Sequence, residues 1–330
     1  MIRQLIRVAF ALLGVAIATS APAQNYPSRP ITVIVPFPAG GLTDVPARLM
    51  ATLMAQSIGQ SVVIENKTGG SGTIGVVVAS RAAPDGYTLL ANSLADTQNL
   101  HFTPIPYHPI DDFTQIGWIT DGPPMVAIIN AALPYKTLGE LIAAAKANPK
   151  SISFGTSGPY SGPAMVLALL NKSAGVEIVA VPYRGSGDAA QAVATGAIQG
   201  VVTFYSQAKP LVDAGHVRAI AIAAPQRMAA WPDVPTFQDA GHVLDFRGFV
   251  GLAAPAKTPK PIVDLLSKHL NVAVQSDVFK SRMGELGMAA PPLAENTPEK
   301  YDAFMRAEIA RQGEFAKLTG HALPAPVIQR

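Results

Sequence analysis

One unit recurs along this chain: a short run of β-branched and apolar residues, then a glycine-rich turn, then a segment with helical spacing. Ile31-Thr-Val-Ile-Val35 is the first run. Such continuous β-branched segments suit a parallel strand buried on both faces. Pro36-Phe-Pro-Ala-Gly-Gly41 breaks the run, and Thr43 or Asp44 caps a helix through Arg48, Leu49, Leu53 and Met54 to Gly59. Ser61 to Glu65 repeats the strand signal, Gly69-Gly-Ser-Gly72 repeats the turn, and the next helix ends before Pro84-Asp85-Gly86. Tyr87 to Ala91 is a third strand. This repetition predicts an open parallel sheet with helices on both faces.

Residues 99–113 read as irregular, with Pro104, Pro106 and Pro109, followed by strands over Phe113–Ile119 and Met125–Ile129. Asp121-Gly-Pro-Pro124 between them is the expected first crossing between two domains. The pattern then restarts. Helices are predicted over Leu138–Ala147, Pro163–Ala174 and Ala189–Thr195, and strands over Ile152–Phe154, Glu177–Val181, Gly200–Phe204 and Arg218–Ala223. Arg227 to Gly241 is a Pro-rich surface path. Phe249–Ala253 reads as a strand returning to the first domain, and helices over Pro261–Gln275 and Pro298–Thr319 close the chain. Lobe 1 is thus expected over 24–121 plus about 236–330, and lobe 2 over 122 to about 235, with the second crossing between 227 and 248. Two α/β lobes joined by two crossings enclose a cleft, and ligands of open parallel sheets bind at the carboxyl ends of the strands.

The first 23 residues read as an address. Arg3 and Arg7 precede an apolar run from Val8 to Ala18, and Ala21-Pro22-Ala23 offers a small-x-small cleavage pattern. This is the form of a secretory signal peptide, too short in its apolar part for a permanent anchor. Cleavage after Ala23 would leave a periplasmic chain of 307 of the 330 residues, starting at Gln24, with no Cys for lipid attachment. Soluble nucleotide cofactors are scarce in that compartment.

Composition narrows the chemistry. Of 25 basic and 22 acidic residues, Arg3 and Arg7 lie in the leader, so the remainder balances to +1. That leaves no basic footprint for nucleic acid or anionic lipid. With no cysteine, zinc–thiolate sites and Cys nucleophiles are excluded. The six histidines are scattered without helical ligand spacing, so no metal site is expected.

Gly70-Ser-Gly72-Thr-Ile-Gly75 matches G-x-G-x-x-G, but its first Gly is the fifth residue after a strand ending at Glu65, which is the second in the chain. A dinucleotide turn follows the first strand almost directly, so no cofactor is assigned. Ser206-Gln-Ala-Lys209 and Lys67-Thr-Gly69 imitate β-lactamase motifs in reversed order, without Ser-Asp-Asn between them. No Gly-x-Ser-x-Gly elbow and no triad set is visible, so the chain reads as a non-enzyme. Pro36 to Asp44 is different. Its glycines admit a ligand close to the backbone, and the following helix start presents unpaired N–H groups able to hold a carboxylate.

Tyr26-Pro-Ser-Arg-Pro30, the strand, and Pro36-Phe-Pro-Ala-Gly-Gly-x-x-Asp44 with Ala47-Arg48 together resemble the extracytoplasmic solute receptors of tripartite tricarboxylate transporters, the Bug family. Val63-Ile-Glu-Asn66, Ala83-Pro-Asp-Gly-Tyr-Thr-Leu-Leu90, Pro182-Tyr-Arg-Gly185, Pro232-Asp-Val-Pro-Thr236, Gly251-Leu-Ala-Ala-Pro-Ala-Lys-Thr-Pro259 and Thr297-Pro-Glu299 extend the likeness from about Tyr26 to Leu318. The resemblance implies a two-lobed, type II-like periplasmic binding protein, expected as a monomer, that closes on a small carboxylate and delivers it to membrane permease subunits. It also implies departures. Tyr160 stands where the family's second-lobe loop has Gly, and Ala164 where it has His. Thr203-Phe204 stands for Asp-Asn, and Gln199 for a frequent Asp. These point to a more apolar pocket and a carboxylate with an aromatic or hydrophobic body, with a dicarboxylate as the other form.

The expected ligand-binding set is Phe37, Ala39, Gly40, Gly41 and Asp44, with Thr73, Asn92 and Ser93, on lobe 1. Thr156, Ser157, Tyr160, Ser161, Ala164, Tyr183, Arg184, Ser186, Thr203 and Phe204 face them from lobe 2. Arg184 is the single charged candidate there. A secreted hydrolase or isomerase on the same scaffold, or a sensor feeding a signalling receptor, are the alternatives.

Overall fold

The structure is a computed structural model that describes residues 26–158, 161–183, 185–224, 226–228, 230–242, 244, 248–318 and 323–329. The predicted leader, Tyr160 and Arg184 lie outside the described residues. Strands β1 (Ile31–Val35), β2 (Val62–Asn66), β3 (Thr88–Ser93), β4 (Phe113–Asp121) and β10 (Phe249–Pro255) form one sheet in the order β2-β1-β3-β10-β4. β5 (Met125–Asn130), β6 (Ser153–Thr156), β7 (Val179–Pro182), β8 (Gly200–Phe204) and β9 (Val217–Ala223) form a second, ordered β7-β6-β8-β5-β9. In the first sheet β1 is parallel to β2 and β3, while β10 opposes β3 and β4. In the second, β6 is parallel to β7 and β8, while β5 opposes β8 and β9. Each sheet is therefore parallel apart from one strand, and that strand is where the chain crosses between lobes. This is the two-lobed α/β architecture expected from the sequence.

The helices are α1 (Asp44–Ile58), α2 (Thr73–Ser80), α3 (Leu94–Phe102), α4 (Leu138–Ala147), α5 (Gly162–Ala174), α6 (Ser186–Ala194), α7 (Tyr205–Asp213), α8 (Lys260–Val274), α9 (Asp277–Glu285) and α10 (Pro298–Leu318). Ile31, Val33 and Val35 pack with Met50 and Met54 of α1 and Leu266 and Leu270 of α8, while Ile34 packs with Val76 and Ala79 of α2 on the opposite face. A period-two strand covered on both sides needs apolar residues at nearly every position, which is why the run is continuous. In the second sheet Ala127 and Ile129 face α4 and α5, and Val126 and Ile128 face α6 and α7. Each such buried Val, Leu or Ile contributes about 1.5–3 kcal/mol of transfer free energy. No helix among the described residues is long and apolar enough to cross a membrane.

The outward crossing is short: β4 ends at Asp121 and β5 starts at Met125. The sequence places the return between 227 and 248. Phe237 donates its amide to Ile222 O at 3.0 Å, and Phe237 and Leu244 are buried in the second sheet's core. The chain therefore stays with that sheet through Leu244. The Pro-rich path has no periodicity, so nothing in its sequence marks which core its few apolar residues enter. Helix α3 runs into the stretch expected to be irregular from residue 99, and α7, which the sequence reading does not include, carries the Ser206–Lys209 imitation, with Lys209 paired to Asp213 at 2.5 Å.

Candidate functional site

The cleft lies where the carboxyl ends of β1 and β3 meet those of β6 and β8. It holds two adjoining cavities that share Phe37, Ala95 and Gln98. The inner one, about 370 Å³, is walled by Phe37, Leu42, Leu94, Met125, Phe204 and Phe249, with Thr43, Ser93 and Gln98 as its polar side chains. The outer one, about 710 Å³, is lined by Ser71, Thr73, Asn99, Thr103, Ser157 and Ser161 among others. No Lys, Arg, His, Asp or Glu lines either cavity among the described residues. The starts of α1, α2, α3 and α5 border the space, and helix starts favour an anion.

The loop after β1 is shaped by a carboxylate behind it. Asp44 is buried and accepts from Gly40 N–H at 2.9 Å, Arg48 Nη2 at 2.7 Å and Asn66 Nδ2 at 2.8 Å. Asn66 Nδ2 also donates to Phe37 O at 2.9 Å. Burial opposes ionisation of Asp44, but the hydrogen bonds from Arg48, Gly40 and Asn66 outweigh it and hold the carboxyl below its ordinary range. This bracing turns Phe37, Gly41, Leu42 and Thr43 toward the cleft. Ala39, Gly40 and Asp44 line a separate depression on the outer face with Arg48 and Arg282. The Gly40 amide, expected to meet ligand, is thus already spent on Asp44. The G-x-G-x-x-G segment has a packing explanation as well: a side chain at Gly75 would sit 2.6 Å from Lys67 O and 2.8 Å from Pro36 Cα.

At the end of β3, Ser93 and Asn92 part company. Asn92 is buried in a polar chain, donating to Gln115 Oε1 at 2.9 Å and accepting from Tyr301 OH at 2.8 Å, away from both cavities. Ser93 lines the inner cavity as the residue before α3. Its amide donates to Asp96 Oδ2 at 2.6 Å, one half of a capping box in which the Ser93 side chain stands over the start of α3. Asp96 is itself buried, and burial pushes its carboxyl up to about 7.

On the second lobe, Ser157 and Ser161 reach the outer cavity and Phe204 the inner one. Ser161 caps α5, accepting from Ala164 N–H at 3.4 Å. Thr156 and Thr203 are buried behind the cleft surface, Thr203 donating to Gln207 Oε1 at 2.8 Å. Tyr183 packs beside the core under α6, Ser186 is buried at that helix's start, and Ala164 sits in the first turn of α5; none of the three lines a cavity. The wall residues missed from the sequence include Leu94, Gln98, Met125 and Phe249. The pair Ser93-x-x-Asp96, a helix-start pattern, was the available signal for the first two. The lobes also touch across the cleft, where Gln98 Nε2 contacts Met165 Sδ at 3.4 Å; within lobe 1 the same nitrogen donates to Gln312 Oε1 at 3.3 Å.

Known proteins resemble this chain. BugT of Bordetella pertussis is 34% identical over 322 residues, covering 95% of this chain and 98% of BugT. A solved R. palustris protein, Rpa4515 with adipate, is 30% identical with a TM-score of 0.76, over 90% of this chain and 99% of that one. MatC from Rhodopseudomonas palustris with bound malate is 32% identical with a TM-score of 0.73, over 88% and 100%. The family model described as "Tripartite tricarboxylate transporter family receptor" matches residues 46–320. This chain belongs to that family, the receptors of tripartite tricarboxylate transporters.

Proposed function

We propose that this protein is a periplasmic receptor that captures a small carboxylate in the cleft between its lobes, without catalysis, and hands it to the membrane subunits of a tripartite transporter. The observation that carries this reading is the cleft itself: strand ends from both sheets meet there, and four helix starts border a space free of side-chain charge among the described residues. Backbone amides at such starts favour an anion, and the relatives crystallised with adipate and malate hold carboxylates. Phe37, Gly41, Ser93, Thr73, Ser157, Ser161 and Phe204 are the sequence-nominated residues that border the ligand in this reading. Export follows from the signal-peptide pattern of residues 1–23.

Two lobes on a pair of crossings close as rigid bodies around bound solute. The test is a thermal-shift screen of the chain from Gln24 with succinate, malate, adipate, benzoate and phenylacetate, because a ligand of the native state raises the unfolding midpoint by mass action. A concentration-dependent rise with at least one acid supports the reading, and five flat curves refute it. Mass spectrometry of the periplasmic fraction checks the predicted start at Gln24.

A further inference from the structure

Of the three residues that the two cavities share, Gln98 is the polar one, and its orientation is set from outside the cleft. The two ends of a carboxamide are alike in shape, so its hydrogen-bond partners decide which way it turns. Glu308 of α10 is buried, and its Oε2 accepts from Arg311 Nη2 at 2.5 Å and Arg311 Nε at 2.9 Å. An ion-paired carboxylate only accepts, so the buried Gln312 has to turn its nitrogen toward it, and Gln312 Nε2 donates to Glu308 Oε1 at 2.5 Å. Gln312 Oε1 is thereby left for Gln98, which presents its own nitrogen at 3.3 Å. The same Gln98 Nε2 also reaches Met165 Sδ of lobe 2, at 3.4 Å. Both N–H groups of Gln98 are spent, and what it has left is an acceptor.

Among the described residues none donates to Gln98 Oε1, and that oxygen is not enclosed by protein. Asn99, the other carboxamide at the outer cavity, spends its Nδ2 within lobe 1 as well, on Ser71 O at 2.9 Å. The remaining polar side chains of the two cavities are Ser and Thr hydroxyls, which donate or accept as a solute requires, while helix-start amides only donate. At Gln98 the cleft therefore asks for a donor. A carboxylate oxygen or a methylene placed against that carbonyl would strip its water and return no hydrogen bond, and sites with an acceptor left unpaired discriminate strongly against such a solute.

Resting on the carboxylate-receptor reading above, we infer that the solute carries a hydrogen-bond donor, a hydroxyl or an ammonium, beside its acid group, and that Gln98, oriented by the Arg311–Glu308–Gln312 chain, is the residue that selects for it. The acid group goes to the donors at the helix starts, and the hydroxyl or ammonium goes to Gln98 Oε1.

Calorimetric titration of the chain from Gln24 with succinate, malate, aspartate and methylsuccinate tests this. These acids differ at one carbon, which bears hydrogen, hydroxyl, ammonium or methyl. Phenylacetate and mandelate pose the same comparison on a ring. The expected result is that malate or aspartate binds about tenfold or more tightly than succinate and methylsuccinate, or mandelate than phenylacetate by the same margin. Gln98→Met, which keeps the length of the side chain and removes the carboxamide, is expected to erase that preference. Glu308→Gln lies outside both cavities and lets Gln312 turn either way, so it is expected to narrow the preference. A merely structural role for Glu308 would weaken all the acids alike and leave their ratio unchanged. Cooperative thermal unfolding of both variants separates lost recognition from lost folding. Succinate and phenylacetate binding as tightly as their donor-bearing counterparts would overturn the inference and leave the carboxylate reading intact. A preference kept in full by Gln98→Met would overturn the assignment to Gln98. Binding by none of the six acids would remove both.

Discussion

The amide of Gly122 donates to the carbonyl of Gly248 at 2.7 Å, so the two crossings between the lobes run side by side and are hydrogen-bonded to each other. The contact is tight in one direction only. A side chain at Gly122 would meet Gly248 C at 2.7 Å and its Cα at 2.8 Å, whereas one at Gly248 would meet only Gly122 Cα at 3.6 Å. Both glycines also wall the inner cavity, so the paired crossings are part of the cleft surface.

This asymmetry predicts unequal mutants. Gly122→Ala drives backbone against backbone and should cost about 1–3 kcal/mol, the usual range for overpacking, together with weaker ligand binding. Gly248→Ala should stay within about 0.5 kcal/mol of the parent, like an ordinary substitution. Urea unfolding of the two variants checks this, and equal losses would mean that the crossings are not seated against each other.

Asp44 is predicted to act as a brace. Asp44→Ala leaves the Gly40 amide and Asn66 Nδ2 without their acceptor and should cost about 1–3 kcal/mol at pH 7. Because the folded carboxyl is held below its ordinary value, its contribution is present above pH ~4 and disappears as pH falls through the lowered folded value. Parent and variant should therefore differ in stability at pH 7 and converge on strong acidification, as read by urea midpoints.

Asp96 should behave in the opposite sense. Its folded carboxyl is pushed up to about 7 from an ordinary 3.8, chiefly by burial. Below pH ~4 it is protonated in both states and costs nothing. As pH rises toward 7 the unfolded chain releases the proton first, so stability falls, on the order of a few kcal/mol in all, and levels off above that. Asp96→Asn retains an oxygen to accept the Ser93 amide and should flatten this decline, giving a higher melting temperature than the parent at pH 8. Melting curves at pH 5 and pH 8 decide it.

Phe204 is predicted to matter for ligand identity more than for folding. It is half-buried in the cleft wall, so Phe204→Ala should lose about 0.5–1.5 kcal/mol of binding to an aromatic acid beyond the area term, and less for an aliphatic one. Parallel titrations with benzoate and succinate measure the difference.

The sheets were legible because doubly covered strands demand uninterrupted apolar runs, and Ile31–Val35, Met125–Asn130 and Gly200–Phe204 supply them. Helix α3 was not, since Asp96, Thr97, Gln98 and Asn99 interrupt any apolar stripe; Asp96 and Thr97 are buried polar groups that only the tertiary fold accommodates. The loop after β1 was recognisable as a ligand border, yet its details turned on which way one carboxylate points. Asp44 could have faced the cleft or the loop backbone, and sequence spacing is the same for both. Its choice spends Gly40 and brings Leu42 and Thr43 forward. Ser93 was nominated as a polar contact, and its second role as the cap of α3 becomes visible only when Asp96 is seen to take its amide.

In the proposed receptor, neutral donors at helix starts hold a carboxylate in this cleft. A crystal structure of the chain from Gln24, grown with the acid that gives the largest thermal shift, tests it most directly. The expected result is a carboxylate between the lobes, within hydrogen-bond distance of helix-start amides and hydroxyls, with no Lys or Arg side chain among its partners. A carboxylate bound outside the cleft, or paired directly with an arginine or lysine, would contradict it.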